Sequence, residues 1–309
     1  MTSGDAAFLL HHYEQSPYAH KIRAMFGLAA AEWGSVLAPP YPPRPGVEPL
    51  VGGYRRIPVA QIGADVFCDS RLIAVEVAAL TGRTELAPQV EDPAARALAE
   101  RAEREVFFAA ITSVSPLKLL GVLLRTSGPV GTLKFVRDRK GMMRGARVRP
   151  PQGAAARQLF DAFLSDLDSH LSSQSMLSGD EPTYADFCVY HPIWLARSVG
   201  GARSLPSHRN VARWLHAMDD LGQGQRQEQT AEDAFAAARA CEPRSLPSGA
   251  DSGELLGKKV SILPDDYARV GTSGTLVAVA PDRYIIAREN ERVGTVHVHF
   301  PREGYEITD

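Results

Sequence analysis

The chain has 309 residues, 44 % of them hydrophobic and 23 % charged, with a formal net charge of -2. That length allows two or three domains and a sizeable core, and the near-neutral balance advertises neither a nucleic-acid nor a membrane surface. No apolar stretch reaches membrane-spanning length, and the N-terminus MTSGDAAFLLHHYE lacks the basic and apolar regions of a signal peptide. Three widely spaced cysteines (Cys68, Cys188, Cys241) suggest neither a disulfide framework nor a zinc pair, which points to a reducing cytoplasm.

Residues 7–13 are rich in apolar and aromatic types and read as a buried strand. Ser16-Pro17 then opens a helix, with serine at the N-cap and proline at the first helical position. Tyr18, Ile22, Met25, Phe26 and Ala29 recur at helical spacing and carry it to about residue 31. Residues 34–38 read as a second strand, and the proline-rich run Pro39 to Pro45 forces an extended loop. Two short strands, 58–62 and 66–68, flank a turn at Gly63-Ala64-Asp65, and a helix from Ser70 to Leu80 stops at Thr81-Gly82.

Asp92-Pro93 starts a helical region, with aspartate as the cap. Residues 94–124 read as one helix bent near Pro116, followed by helices over 154–171, 184–199, 207–221 and 231–240. Thr183-Tyr184-Ala185-Asp186 has the form of a capping box with aspartate in place of glutamate. Lys134 to Arg149 carries seven basic residues against one acid and reads as a solvated connector between helices, or as a positive rim that steers anions. It has no accompanying aromatic platform for bases. Pro243 to Gly253 is a linker rich in Pro, Ser and Gly. Beyond it the apolar period becomes two, over 259–263, 275–280, 283–287 and 295–300, which predicts a small antiparallel barrel.

Several chemistries find no support. His297 and His299 share a strand face, but no third metal ligand is visible, and His11-His12 point to opposite faces. Gly271-Thr272-Ser273-Gly274-Thr275 lacks the final glycine of a nucleophile elbow. There is no phosphate-binding Walker loop, and Gly222-Gln223-Gly224 lacks the third glycine of a dinucleotide loop.

The strand, the Ser16-Pro17 helix start, Ile57-Pro58, and Asp69-Ser70 at the mouth of the next helix together resemble the thioredoxin-like half of the glutathione transferases. The capping box at 183–186 resembles an element of that family's helical domain. The resemblance covers roughly residues 7–240. It implies that Ser16 stabilises the glutathione thiolate through its hydroxyl and the helix N-terminus. Tyr13 and His12 compete for that role, since tyrosine-type members place a phenol at the end of the first strand. The resemblance makes Ile57-Pro58 the family's cis-proline element, whose backbone would pair with the cysteinyl unit as an added strand does. It places the γ-glutamyl carboxylate at Ser70, the ammonium at Asp69 and the glycyl carboxylate at Arg56. A cysteine-type or CxxC redox site is excluded by Ser16 and Ala19.

The chain thus reads as a thioredoxin-like domain (1–82), an all-helical domain (83–242), a linker (243–253) and a small β-barrel (254–309). The leading expectation is a cytoplasmic, homodimeric glutathione transferase-like enzyme, or a related isomerase or dehalogenase. Glutathione would be the cosubstrate and an apolar electrophile the partner, received near Phe107, Phe108, Ile111, Tyr190 and Trp194. The other expectation is a non-catalytic protein of that fold whose C-terminal barrel recruits a partner.

Overall fold

The computed structural model describes residues 6–89, 91–200, 208–247 and 254–309. The expected helix start at Ser207 and the later half of the expected linker lie outside these residues.

The N-terminal unit follows the predicted order. β1 (Phe8–His12) is buried throughout and pairs in parallel with β2 (Glu32–Leu37). Between them runs α1 (Pro17–Leu28), where the Ser16 side chain accepts from the Ala19 N–H and Pro17 takes the first position. The proline-rich loop leads into the one-turn helix α2 (Glu48–Val51). β3 (Val59–Ile62) lies antiparallel to β1 and forms a hairpin with β4 (Asp65–Cys68). α3 (Ser70–Thr81) is capped by Asp69 and ends at Gly82, whose φ of 68° is the left-handed conformation glycine adopts without cost.

The helical region departs from one long helix over 94–124. It divides into α4 (Pro93–Arg101), a π-helical turn at Ala102–Val106, α5 (Phe107–Ser113) and α6 (Pro116–Met142). The chain bends by 86° where α6 begins. Pro116 disfavours helical geometry in the residue before it, and Ser115 is extended at φ -55°, ψ 127°. The basic stretch expected to be a connector is helical as far as Met142, within α6.

α7 (Gly153–His170), α8 (Tyr184–Gly200) and α9 (Arg209–Asp220) complete this layer. Of the predicted box at 183–186 the aspartate half forms, while the Asp186 N–H donates to the Thr183 carbonyl and not to its hydroxyl. Buried Asp186 accepts from the Thr183 N–H at 2.9 Å, the Leu177 N–H at 2.9 Å and the Trp214 Nε1–H at 2.8 Å. It therefore caps α8 and ties it to α9. Trp214, Phe163, Phe187 and Tyr190 are buried around it, and removing such a side chain from water contributes about 1.5–3 kcal/mol.

The chain then returns to the sheet. β5 (Gln225–Gln229) adds in parallel to β2, and α10 (Ala231–Arg239) lies against β2, β3 and the C-terminal strands. The region expected to be all-helical therefore contains a strand ahead of its last helix. The C-terminal strands are β6 (Lys259–Pro264), β7 (Thr272–Val279), β8 (Arg283–Asn290), β9 (Gly294–Pro301) and β10 (Tyr305–Thr308).

They do not close into the expected barrel. All ten strands form one open sheet in the order β10-β6-β7-β8-β9-β4-β3-β1-β2-β5. Closure would require β9 to meet β10. Instead β9 pairs in parallel with β4, matching Asp65 to His297 and Phe67 to His299. β10 is left on β6 as the far edge. The C-terminal strands share a core with the N-terminal unit, in which Val260, Ile286, Val298 and Phe300 pack with Leu50, Val59 and Val66.

Candidate functional site

The fold brings six of the predicted site residues to one place: Ser16, Arg56, Ile57, Pro58, Asp69 and Ser70. The Ile57-Pro58 peptide is cis. The buried Ser16 hydroxyl donates to the Ile57 carbonyl at 3.4 Å while accepting from the Ala19 N–H at 3.2 Å. Across the hairpin, Asp69 has φ 79° and ψ 133°. A non-glycine residue in such a region costs on the order of 1–3 kcal/mol and persists only where its surroundings hold it. Its Oδ1 accepts from the Arg71 N–H at 2.9 Å. Its Oδ2 accepts from the Tyr305 hydroxyl at 3.0 Å and lies 3.8 Å from Arg56 Nη1. Ser70 opens α3, is buried, and makes no side-chain hydrogen bond to a described residue. Two helix N-termini and a strand-leading proline therefore converge, a geometry suited to an extended anionic peptide.

The two rivals of Ser16 are placed differently. Tyr13 gives its carbonyl to the Ser16 N–H at 3.1 Å, and its half-buried ring packs on the core shared with the C-terminal strands. His12 has a partner at each ring nitrogen. Nδ1 accepts from Arg23 Nη1 at 3.0 Å, so Nε2 carries the proton and donates to Ser35 Oγ at 3.0 Å. Ser35 Oγ in turn donates to Glu228 on β5 at 3.2 Å. Burial, aided by the Arg23 charge, pushes His12 down to about 3.

The residues that sequence reasoning missed come from the C-terminal unit. Arg56 Nη2 donates to the Asp266 carboxylate and to the Tyr267 carbonyl at 2.7 Å. Its guanidinium lies 4.4 Å from the centre of the Tyr267 ring, within cation–π range. Tyr305, besides reaching Asp69, shares a 2.9 Å hydrogen bond with Tyr54. Burial pushes the Tyr267 and Tyr305 phenols up, so both stay neutral. Pro264-Asp265-Asp266 read only as a turn, and no local pattern ties it to Arg56, 210 positions away.

The expected electrophile residues divide. Phe107 packs edge-on to Phe108 and against Tyr18 at 4.8 Å, and Phe108 meets Tyr267 at 5.4 Å. These two adjoin the site. Tyr190 and Trp194 instead pack on His20, with Tyr190 donating to Asp219. Ile111 is half-buried on α5.

A second polar cluster locks the two layers together. Buried Lys21 donates to Glu103 Oε1 at 2.6 Å, to the Tyr184 hydroxyl at 3.0 Å and to Cys188 Sγ at 3.1 Å. All three of its protons are used, joining α1 to the π-helical turn and to α8. Burial pushes the Cys188 thiol up to about 12 and Cys68 well above its usual range, so neither offers a thiolate at neutral pH. The histidine pair on β9 holds no metal cluster among the described residues; His299 Nε2 lies 2.9 Å from Asp65 Oδ1.

Two family models match the chain: the glutathione S-transferase N-terminal domain over residues 10–84 and the C-terminal domain over residues 150–217. The fold is therefore glutathione transferase-like, a thioredoxin-like domain joined to a helical one. A solved GST-like protein from Pseudomonas syringae aligns with 98 % of this chain and 99 % of its own, at 28 % identity and a TM-score of 0.75. That match takes in the C-terminal unit as well. A glutathione S-transferase from Rhodospirillum rubrum F11 aligns with 69 % of this chain and 87 % of its own, at 17 % identity and a TM-score of 0.48. FzlA from C. crescentus aligns with 78 % of this chain and 94 % of its own, at 16 % identity and a TM-score of 0.48. Neither of these two distant matches bears on function. No curated protein matches the sequence.

Proposed function

We propose that the chain is a glutathione transferase-like enzyme that binds reduced glutathione at this site and stabilises its thiolate for attack on an apolar electrophile. The γ-glutamyl carboxylate sits on the Ser70 hydroxyl and the α3 N-terminal amides, the ammonium faces Asp69, and the cysteinyl backbone pairs along Ile57. Arg56 receives the glycyl carboxylate. Ser16 turns its hydroxyl from the Ile57 carbonyl to the sulfur, where hydroxyl and helix N-terminus favour thiolate over thiol. The electrophile lies against Phe107 and Phe108. The observation that carries this reading is the Asp69-Ser70 corner: a strained acidic residue beside a serine whose hydroxyl makes no hydrogen bond to a described residue, at a helix N-terminus.

Two copies pair in this reading. Its support is α6, whose buried side chains are Thr132 and Met142 alone, while Leu117, Leu120, Leu124, Val130 and Leu133 are exposed. Cys68, Cys188 and Cys241 are free thiols, in keeping with a cytoplasmic setting.

The test is thermal unfolding with and without millimolar reduced glutathione. Ligand at 100 times its dissociation constant adds about 2.7 kcal/mol. The rise is expected in the native chain and in Ser16→Ala, which loses turnover but keeps binding. It is expected to vanish in Ser70→Ala. A rise that survives Ser70→Ala removes the assignment.

The non-catalytic reading keeps one observation in its favour, since Asp266 and Tyr305 already engage Arg56 and Asp69. Full activity in Ser16→Ala would instead remove Ser16 from the catalytic role and turn attention to Tyr13 and His12.

A further inference from the structure

The loop between β6 and β7 enters the candidate site from the C-terminal unit and places a carboxylate where the ligand's own is expected. Asp266 engages Arg56 through one oxygen on one nitrogen, Nη2. Arg56 Nε is buried and has no hydrogen-bond partner among the described residues. The internal carboxylate therefore satisfies the guanidinium only in part. A free carboxylate that meets the fork with both oxygens forms two parallel charge-assisted bonds and is the stronger partner.

Several bonds dock the loop: the Asp265 N–H donates to the Gly304 carbonyl at 3.0 Å, and Arg269 Nη2 donates to Glu306 Oε2 at 2.8 Å. The Ala268 N–H donates to the Met142 carbonyl at 2.8 Å, and the Arg147 N–H donates to the Asp266 carbonyl at 2.7 Å. Ala268 has φ 51°, an unfavourable conformation for a residue with a Cβ. The β7 end of the loop is anchored as well. A Cβ on Gly53 would lie 2.7 Å from the Gly271 carbonyl oxygen, so the two glycine backbones touch. The Thr272 hydroxyl donates to the Val51 carbonyl at 2.9 Å. The loop is thus anchored at both ends, and the segment that carries Asp266 and Tyr267 lies between the anchors against Arg56.

We propose that Asp266 is a built-in competitor for the ligand's carboxylate at Arg56, so that docking of the 265–271 loop and binding of an anionic peptide exclude one another. This rests on the glutathione reading above. Ligand exchanges its carboxylate for that of Asp266 on Arg56, and Tyr267 leaves its place over the guanidinium and against Phe108. The open loop frees the space beside Phe107 and Phe108 for an electrophile. Apparent affinity is then lowered by the fraction of molecules with the loop open.

The test is calorimetric titration of reduced glutathione into the full chain, Asp266→Asn, and Asp266→Asn combined with Arg56→Gln. Asp266 is partly exposed, and Asp266→Asn leaves the fold intact. If about a tenth of molecules are open, removing the competing charge tightens binding roughly tenfold. The gain is expected to disappear in the double variant, because it acts through Arg56. Equal or weaker binding by Asp266→Asn, beside measurable binding by the native chain, overturns the competition and leaves the glutathione site standing. A gain that persists without Arg56 also overturns it. No binding by any of the three proteins overturns the glutathione reading, and this proposal with it.

Discussion

The four strands of the N-terminal unit, β4-β3-β1-β2, are extended at both edges by segments from much later in the chain, and the two additions differ in kind. On β2 the addition is one polar strand, β5, with α10 behind it. It brings Arg226 to Glu14 at 2.6 Å and Glu228 to Ser35, which completes the chain of bonds from Arg23 through His12. On β4 the addition is five strands with a core of their own, joined through β9. β4 runs directly into Asp69-Ser70, so what lies beside it reaches the ligand site. The same device, a parallel strand laid on an open edge, closes a network on one side and brings Asp266 to Arg56 and Tyr305 to Asp69 on the other. Which edge is covered decides which.

Acid is the harshest way to break this comparison. His11, His12 and His20 are held neutral by burial, at about 4, about 3 and about 3. Below about pH 6.5 the unfolded chain takes up protons that the folded chain refuses, so stability falls as pH drops towards 4. Each such histidine contributes on the order of 1 kcal/mol per pH unit. None lies on the C-terminal unit, where His299 is lowered by burial against the opposing pull of Asp65. The unfolding temperature should therefore drop steeply between pH 6.5 and 4, and His299→Gln should leave most of that slope. A slope abolished by His299→Gln would move the acid-sensitive region to the other edge.

Asp65→Ala tests the β4 junction. Asp65 is buried, pairs with His299, and accepts from the Arg244 N–H at 2.9 Å. Its loss leaves buried donors unpaired and should cost about 3 kcal/mol in denaturant unfolding. Ser35→Ala tests the β5 side, where it orphans the His12 Nε2–H and frees Glu228. The expected cost is smaller, about 1–2 kcal/mol. If Ser35→Ala proved the costlier change, the single polar strand would matter more than the five-stranded unit.

Much of the fold was legible because its signals are local. Ser16 and Asp92 cap their helices where the sequence placed them, and Asp186 of the 183–186 pattern is buried and accepts from the Thr183 N–H. β5 was not legible. Its residues, Gln-Arg-Gln-Glu-Gln, have no apolar alternation, and only pairing with β2 makes them a strand. The break before α6 was half legible, since Pro116 marked a bend and the sharp 86° turn came from the extended residue before it.

The sequence by itself determined the elements of the N-terminal unit, most helix starts of the helical layer and the separate motifs Ser16-Pro17, Ile57-Pro58 and Asp69-Ser70. All of these rest on neighbours a few residues apart, or on one hairpin. Only the tertiary structure decided that the C-terminal strands join the sheet instead of closing on themselves. An open strand edge is a row of backbone N–H and C=O groups that carries no residue-type signature. Tertiary structure also decided that Asp266 meets Arg56 and Tyr305 meets Asp69. Those contacts depend on β9 lying beside β4, which no local pattern encodes.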